Sequence, residues 1–199
     1  MTITIKFNDN IEHNYNSFEE ILKIDNYNDI IYINCSDNNL SSLPELPNSL
    51  IKLHCGNNNL SSLPKLPNSL NKLWCGSNRL SCLPELSNSL THLWCYNNNL
   101  SVLPELPNSL TELLYYNNNI SSLANLSNLS CSIFYWGNPI HTNIEQYFDG
   151  VLKNYFEYQN EMKSKFVNKI GNWFLECKYN PKYLYCRKRL MKEYEELYG

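Results

Sequence analysis

Eight cysteines, four histidines and a dense set of tryptophan and tyrosine rings are the residues of this chain that could do chemistry. Cys35, Cys55, Cys75 and Cys95 raise a thiol or metal reading first, because a thiolate is both a nucleophile and a ligand. Their spacing argues against it. A zinc site calls for paired C-x-x-C or C-x-x-H ligands, and the sequence holds none. An interval of twenty residues is that of a structural repeat, which makes these thiols one interior column of small hydrophobes. Cys177 and Cys186 lie nine apart across Pro181, a pattern weak for metal and for catalysis. No histidine follows His141 to activate either thiol, and Ser, His and Asp form no triad-like cluster. The expectation is a protein that is not an enzyme, with no catalytic residue, no metal and no cofactor.

What remains is recognition by ring surface, and it depends on how the chain repeats. From Ile30 to Ile140 one unit is written six times without insertion, aligned on Asn38, Asn58, Asn78, Asn98, Asn118 and Asn138. Leu50, Leu53 and Cys55 are expected to point inward from a short strand, and Leu60, Leu63 and Leu66 to return along the far wall. One coil cannot bury that edge alone, so stacking must do it. The asparagines sit where the chain bends, and an amide that both donates and accepts can satisfy the bends of adjacent coils. This column is read as structural.

Alternation along each strand sends the residues between the leucines outward onto a concave surface. One outward column reads Asn34, His54, Trp74, Trp94, Leu114, Phe134. The next reads Ser36, Gly56, Gly76, Tyr96, Tyr116, Trp136, and a third, Tyr32, Lys52, Lys72, His92, Glu112, Ser132, is mixed and polar. Strands about 4.8 Å apart would gather the rings of the first two into one continuous aromatic patch. Exposed patches of this kind mark contact surfaces, since Trp and Tyr dominate interface hot spots. The expected binding residues are His54, Trp74, Trp94, Tyr96, Leu114, Tyr116, Phe134 and Trp136. Two bland readings compete: the rings only ladder against one another, or C-terminal helices cover them.

The far wall repeats Leu63-Pro64-x-Leu66-Pro67, with Leu43-Pro44-Glu45-Leu46-Pro47 and Leu103-Pro104-Glu105-Leu106-Pro107. Proline lacks a backbone donor and has a fixed φ, so this wall cannot be helical and is expected to be polyproline-II-like. The pattern L-P-x-L-P-N-S-L-x-x-L-x-C-x-x-N-x-L resembles the short leucine-rich repeat of bacterial effectors, and more closely the asparagine-rich versions of large DNA viruses of amoebae. The resemblance covers residues 30 to 140 and implies an α/β solenoid with a parallel strand face. It implies little about activity, because such repeats are scaffolds. Some effectors with similar repeats carry a ubiquitin-ligase domain with a nucleophilic cysteine, which would nominate Cys177 or Cys186. The 59 residues after Ile140 are several times too few for that domain.

The ends read differently. Residues 1 to 29 alternate Ile3, Ile5, Phe7, turn at Asp9-Asn10, then alternate Ile11, His13, Tyr15, which is hairpin logic. A helix should follow from the capping box Ser17-Phe18-Glu19-Glu20, with Phe18, Ile21 and Leu22 as its apolar stripe. Residues 141 to 199 read as an α-helical C-terminal module, opened by Thr142-Asn143-Ile144-Glu145 and broken at Pro181. The run Arg187-Lys188-Arg189 is basic, but a chain at net charge −3 lacks the broad field of a nucleic-acid binder. No stretch reaches the eighteen or so apolar residues of a bilayer span, and the N-terminus is too polar for a secretory signal. The sequence therefore reads as a cytoplasmic monomer, in host cytoplasm if the viral resemblance holds. Its partner would be a protein or peptide, with no nucleic acid or membrane. A variant of this reading is an adaptor in host ubiquitin signalling, whose C-terminal module recruits a second partner.

Overall fold

A computed structural model describes residues 2–122 and 132–140, together with Glu161 and Ser164. The chain divides into two compact units, Met1–Gly150 and Val151–Gly199, and the described residues fall almost entirely in the first. The helices expected after His141, the Arg187-Lys188-Arg189 run, Cys177 and Cys186 lie outside the described residues.

Two strands, β1 (Ile3–Lys6) and β2 (Glu12–Tyr15), form an antiparallel hairpin. Asn10 turns it with φ 60°, while the Asp9 carboxylate accepts from the Ile11 amide at 2.9 Å. β1 buries Ile3 and Ile5 completely, whereas Ile11 stays exposed beside the edge strand. Helix α1 is a single turn, Phe18–Ile21. Ser17 Oγ accepts from the Glu20 amide, and the Glu20 carboxylate reaches back to the Asn16 amide at 3.0 Å, so the box closes one residue early. Phe18 and Ile21 are buried, but Leu22 is exposed and leaves the expected stripe.

Six three-residue strands follow: β3 (Tyr32–Asn34), β4 (Lys52–His54), β5 (Lys72–Trp74), β6 (His92–Trp94), β7 (Glu112–Leu114) and β8 (Ser132–Phe134). β1 pairs antiparallel with β2 and β3, and every later pair is parallel, in the order β2-β1-β3-β4-β5-β6-β7-β8. Equivalent residues pair one to one: Leu53 with Leu73, Leu73 with Leu93, Leu93 with Leu113. An exact repeat allows no slip, because a shift of one residue would turn every leucine outward. Between strands, segments 41–49, 61–69, 81–89 and 101–109 contain neither helix nor strand.

Leu50, Leu53, Cys55 and Leu60 are fully buried, as are their equivalents in the next two coils, whereas Leu40 and Ile133 in the terminal coils are half-buried. Each such leucine contributes about 1.5–3 kcal/mol once a neighbouring coil covers it. The cysteine column ends at Cys95; Tyr115 takes its place in the fifth coil and is itself fully buried. Burial pushes the Cys35 and Cys75 thiols up to about 12, and Cys55 and Cys95 well above their usual value. A thiol that holds its proton is neither nucleophile nor ligand.

Asparagine amides stitch coil to coil. Asn78 Oδ1 accepts from the Leu60 amide at 3.0 Å, and its Nδ2 donates to the carbonyls of Cys55 (3.0 Å) and Cys75 (3.1 Å). Asn58, Asn98, Asn118 and Asn138 repeat the arrangement. Asn38 has no coil before it and bonds Thr2 instead, accepting from its amide and donating to its carbonyl, both at 2.9 Å. The hairpin thus supplies the hydrogen bonds of a missing coil. Just before each of these asparagines the backbone turns left-handed, at Asp37, Asn57, Ser77, Asn97, Asn117 and Gly137. Asn, Asp and Gly adopt this conformation readily, and Ser77 does not.

Serine hydroxyls form a second ladder in the return segments, one that the sequence pattern did not foretell. Ser49, Ser69 and Ser109 donate to the carbonyls of Ile30, Leu50 and Leu90, each at 2.7 Å. Among the described residues, no helix is long and apolar enough to cross a membrane.

Candidate functional site

Parallel in-register pairing places outward residues of equivalent position in columns, with successive members about 4.8 Å apart, close to the distance at which flat rings stack. In the first column His54 lies on Trp74 with centroids 3.4 Å apart, and Trp74 on Trp94 at 4.4 Å and 12°. Leu114 pairs next to Trp94 and ends that stack. In the second, Tyr96 stacks on Tyr116 at 4.8 Å, and Tyr116 on Trp136 at 4.3 Å. Phe134 meets Trp136 edge-on at 5.7 Å and 85°.

The rings expected to make one patch therefore form two stacks in adjacent columns. The first runs through the middle coils, and the second is displaced toward β8. A glycine sets that displacement. A Cβ on Gly76 would lie 2.7 Å from the Tyr96 ring, so the absence of a side chain there lets Tyr96 fold down over the backbone. The signal was present in the column Gly56, Gly76, Tyr96, where small residues precede a large one.

Exposure rises along the face toward β8. Trp74, Trp94, Tyr96 and Tyr116 are half-buried by their neighbours, whereas Phe134 and Trp136 are 43% and 45% exposed. The ring nitrogens His54 Nε2, Trp74 Nε1 and Trp94 Nε1 are buried without a hydrogen-bond partner. Burial, reinforced by the ammonium groups of Lys52 and Lys72, pulls the His54 imidazole down to about 4.

Three features of this face do not stand out in the sequence. Tyr32 packs edge-on against His54 at 5.1 Å, with its hydroxyl 3.3 Å from His54 Nδ1, and so closes the first stack at the β3 end. Lys6 from the hairpin pairs with Glu12 at 2.9 Å and sits 5.3 Å above the Tyr32 ring. Lys52 and Lys72 are direct partners on β4 and β5, and beside them lies a hollow of about 340 Å³. Farther along the same column, His92 and Glu112 lie 3.7 Å apart. No group of three or more His, Cys, Asp or Glu among the described residues is placed to hold a metal ion.

No protein-family model and no curated protein matches the chain. Among solved structures, it is similar to YopM from Yersinia enterocolitica WA-314, with 38% identity over 51% of this chain and 23% of that one, at a TM-score of 0.49. It is similar to a Shigella effector leucine-rich-repeat domain at 37% identity over 52% of this chain and 47% of that one, with a TM-score of 0.49. Another is YopM of Yersinia pestis, at 33% identity over 53% of this chain and 36% of that one, with a TM-score of 0.44. This chain thus spans less than half the length of each, and overlays at this level assign no activity. All three are bacterial, and they lend no support to the viral type expected from the repeat pattern. The chain's own geometry, with a three-residue parallel strand, a left-handed bend, a buried asparagine and inward leucines every twenty residues, is that of a short leucine-rich-repeat solenoid.

Proposed function

We propose that this protein is a non-catalytic scaffold that binds a partner protein or peptide across the outward strand face, through the two aromatic stacks. The observation that carries the reading is the exposure of Phe134 and Trp136 at the end of an otherwise half-buried stack. Large rings left open to water in a contiguous group are characteristic of contact surfaces.

Magnitudes weigh against a purely structural ladder. A stacked pair contributes about 0.5–1.5 kcal/mol beyond its buried area, while a buried donor without a partner costs about 1–3 kcal/mol. Trp74 and Trp94 each bury such a donor. Phenylalanine or leucine would fill these positions without that penalty, so stability alone does not account for tryptophan there.

The partner in this reading is a macromolecule, because the rings spread over several strands beyond the one hollow and would be covered together only by an extended surface. The sequence resemblance to effector and viral repeats makes a host protein the first class to try. Action as a monomer in the cytoplasm belongs to the same reading.

Phe134→Ala/Trp136→Ala tests it, because these exposed rings can be removed at little cost to the core. Pull-down from eukaryotic lysate should capture a partner with the wild type and not with the variant, at an unchanged melting temperature. Equal capture by both would reject the aromatic face.

A further inference from the structure

The charges on this face are unevenly arranged. Lys52 and Lys72 are direct cross-strand partners, and like charges so placed destabilise a sheet. Among the described residues no carboxylate lies within 4.0 Å of either ammonium, since Glu12 is engaged by Lys6 and Glu112 by His92. The repulsion is also felt by His54, whose protonated form both lysines disfavour. Nothing in the fold requires it: at the same strand position β6 and β7 carry the compatible pair His92 and Glu112.

From this arrangement we infer that Lys52 and Lys72, beside the hollow floored by Tyr32, His54 and Trp74, form a subsite for the carboxylates of an acidic peptide segment of the partner. This rests on the proposed recognition function and gives the bound segment its composition. Carboxylates placed there would relieve the lysine pair, and the aromatic floor would hold the aliphatic stems of Asp or Glu. The neutral, exposed rings of Phe134 and Trp136 lie three strands beyond Lys72 and farther along the strand direction, a span of about 16 Å to the nearer ring that an extended peptide covers in about five residues. The partner motif is therefore a short acidic cluster about five residues from an aromatic or large apolar anchor.

A displayed library of random twelve-residue peptides, selected in parallel on the full chain, on Lys52→Glu/Lys72→Glu and on Phe134→Ala/Trp136→Ala, tests the inference. The wild type should enrich peptides with paired Asp or Glu about five residues from an aromatic. The charge-reversed chain should lose the acidic preference and bind a wild-type-selected peptide at least about tenfold more weakly. Removal of the two rings should erase the aromatic preference and keep the acidic one. Enrichment without acidic bias that still depends on Phe134 and Trp136 overturns the subsite and leaves the recognition function standing. An acidic bias that survives charge reversal also overturns it. Absence of any enriched peptide overturns both. A labelled single-stranded oligonucleotide bound as tightly as the best peptide, and released by the same lysine reversal, would overturn the assignment to a peptide. Thermal melts of all three chains verify that they remain folded.

Discussion

Trp74 and Trp94 stack with their centroids 4.4 Å apart and their planes within 12°, and both indole nitrogens are buried without a hydrogen-bond partner. The pair is thus held by ring contact against a polar cost. Trp74→Phe removes one buried donor while keeping an aromatic ring, and is expected to change stability by less than about 1 kcal/mol in chemical denaturation. Trp74→Ala, which also removes the contacts to His54 and Trp94, should cost about 3 kcal/mol. A loss well above about 1 kcal/mol for Trp74→Phe would show that the indole nitrogen has a partner.

Asn78 holds four backbone groups of two coils at once. Asn78→Ala leaves the Leu60 amide without its acceptor and the carbonyls of Cys55 and Cys75 without this donor, at about 1–3 kcal/mol for each group left wholly unpaired. Because the two carbonyls keep the amides of Asn58 and Asn98 as donors, the loss should be about 1–3 kcal/mol, seen as a fall in the urea midpoint. A loss below about 1 kcal/mol would mean that water replaces the amide.

Ser77 has φ 55° where equivalent positions carry Asn57, Asn97 and Asn117. Ser77→Asn should stabilise by about 0.5 kcal/mol, because asparagine tolerates the left-handed region better. Gly137→Ala should act in the opposite sense. Its φ is 69°, and the new Cβ would meet Asn117 Oδ1 at 2.0 Å. Paired thermal melts should move the two variants to opposite sides of the wild type.

His54 titrates near 4 when folded, against about 6.5 in the unfolded chain. Between these values the unfolded chain binds the extra proton, so stability is full above pH 6.5 and declines as pH falls toward 4. His54→Gln removes this component. The difference in melting temperature between wild type and variant should be constant above pH 6.5 and shift against the wild type below it. A difference that stays flat from about pH 7 to 4 contradicts the depressed value.

Cys82 is the exposed thiol among the described residues, while Cys35, Cys55, Cys75 and Cys95 are buried and hold their protons. A thiol reagent at about pH 8, followed by peptide mapping, should label Cys82 quickly and the buried column only after denaturation. Rapid labelling of Cys55 or Cys75 in the folded chain would show that the coils open.

The solenoid was legible because its cause is local and repeated. Leu53 and Leu73 occupy the same place in consecutive units, and stacking is the arrangement that buries both. The asparagine bends were legible for the same reason, since a polar residue at a constant place among apolar ones must serve the backbone. The hairpin could be read from Asp9-Asn10, but the early end of α1 and the exposure of Leu22 could not, because packing against β2 decides them. The substitution of Tyr115 into the cysteine column was visible in the spacing, yet its complete burial depends on the space left by the surrounding coils.

For the candidate site, the sequence alone determined which column each residue occupies, because a constant period and parallel pairing leave no freedom of register. The tertiary structure decided how the rings lie. The absence of a side chain at Gly76 admits Tyr96, Leu114 interrupts the tryptophans, and one expected patch becomes two stacks. It also decided that Lys6, sixty-six residues before Lys72 in the chain, comes to the same hollow as Lys52 and Lys72 through the antiparallel pairing of β1 with β3. Side-chain rotation and long-range strand pairing depend on neighbours that come together only when the chain folds. A repeat pattern specifies the positions available to them, and packing selects the conformation each side chain adopts.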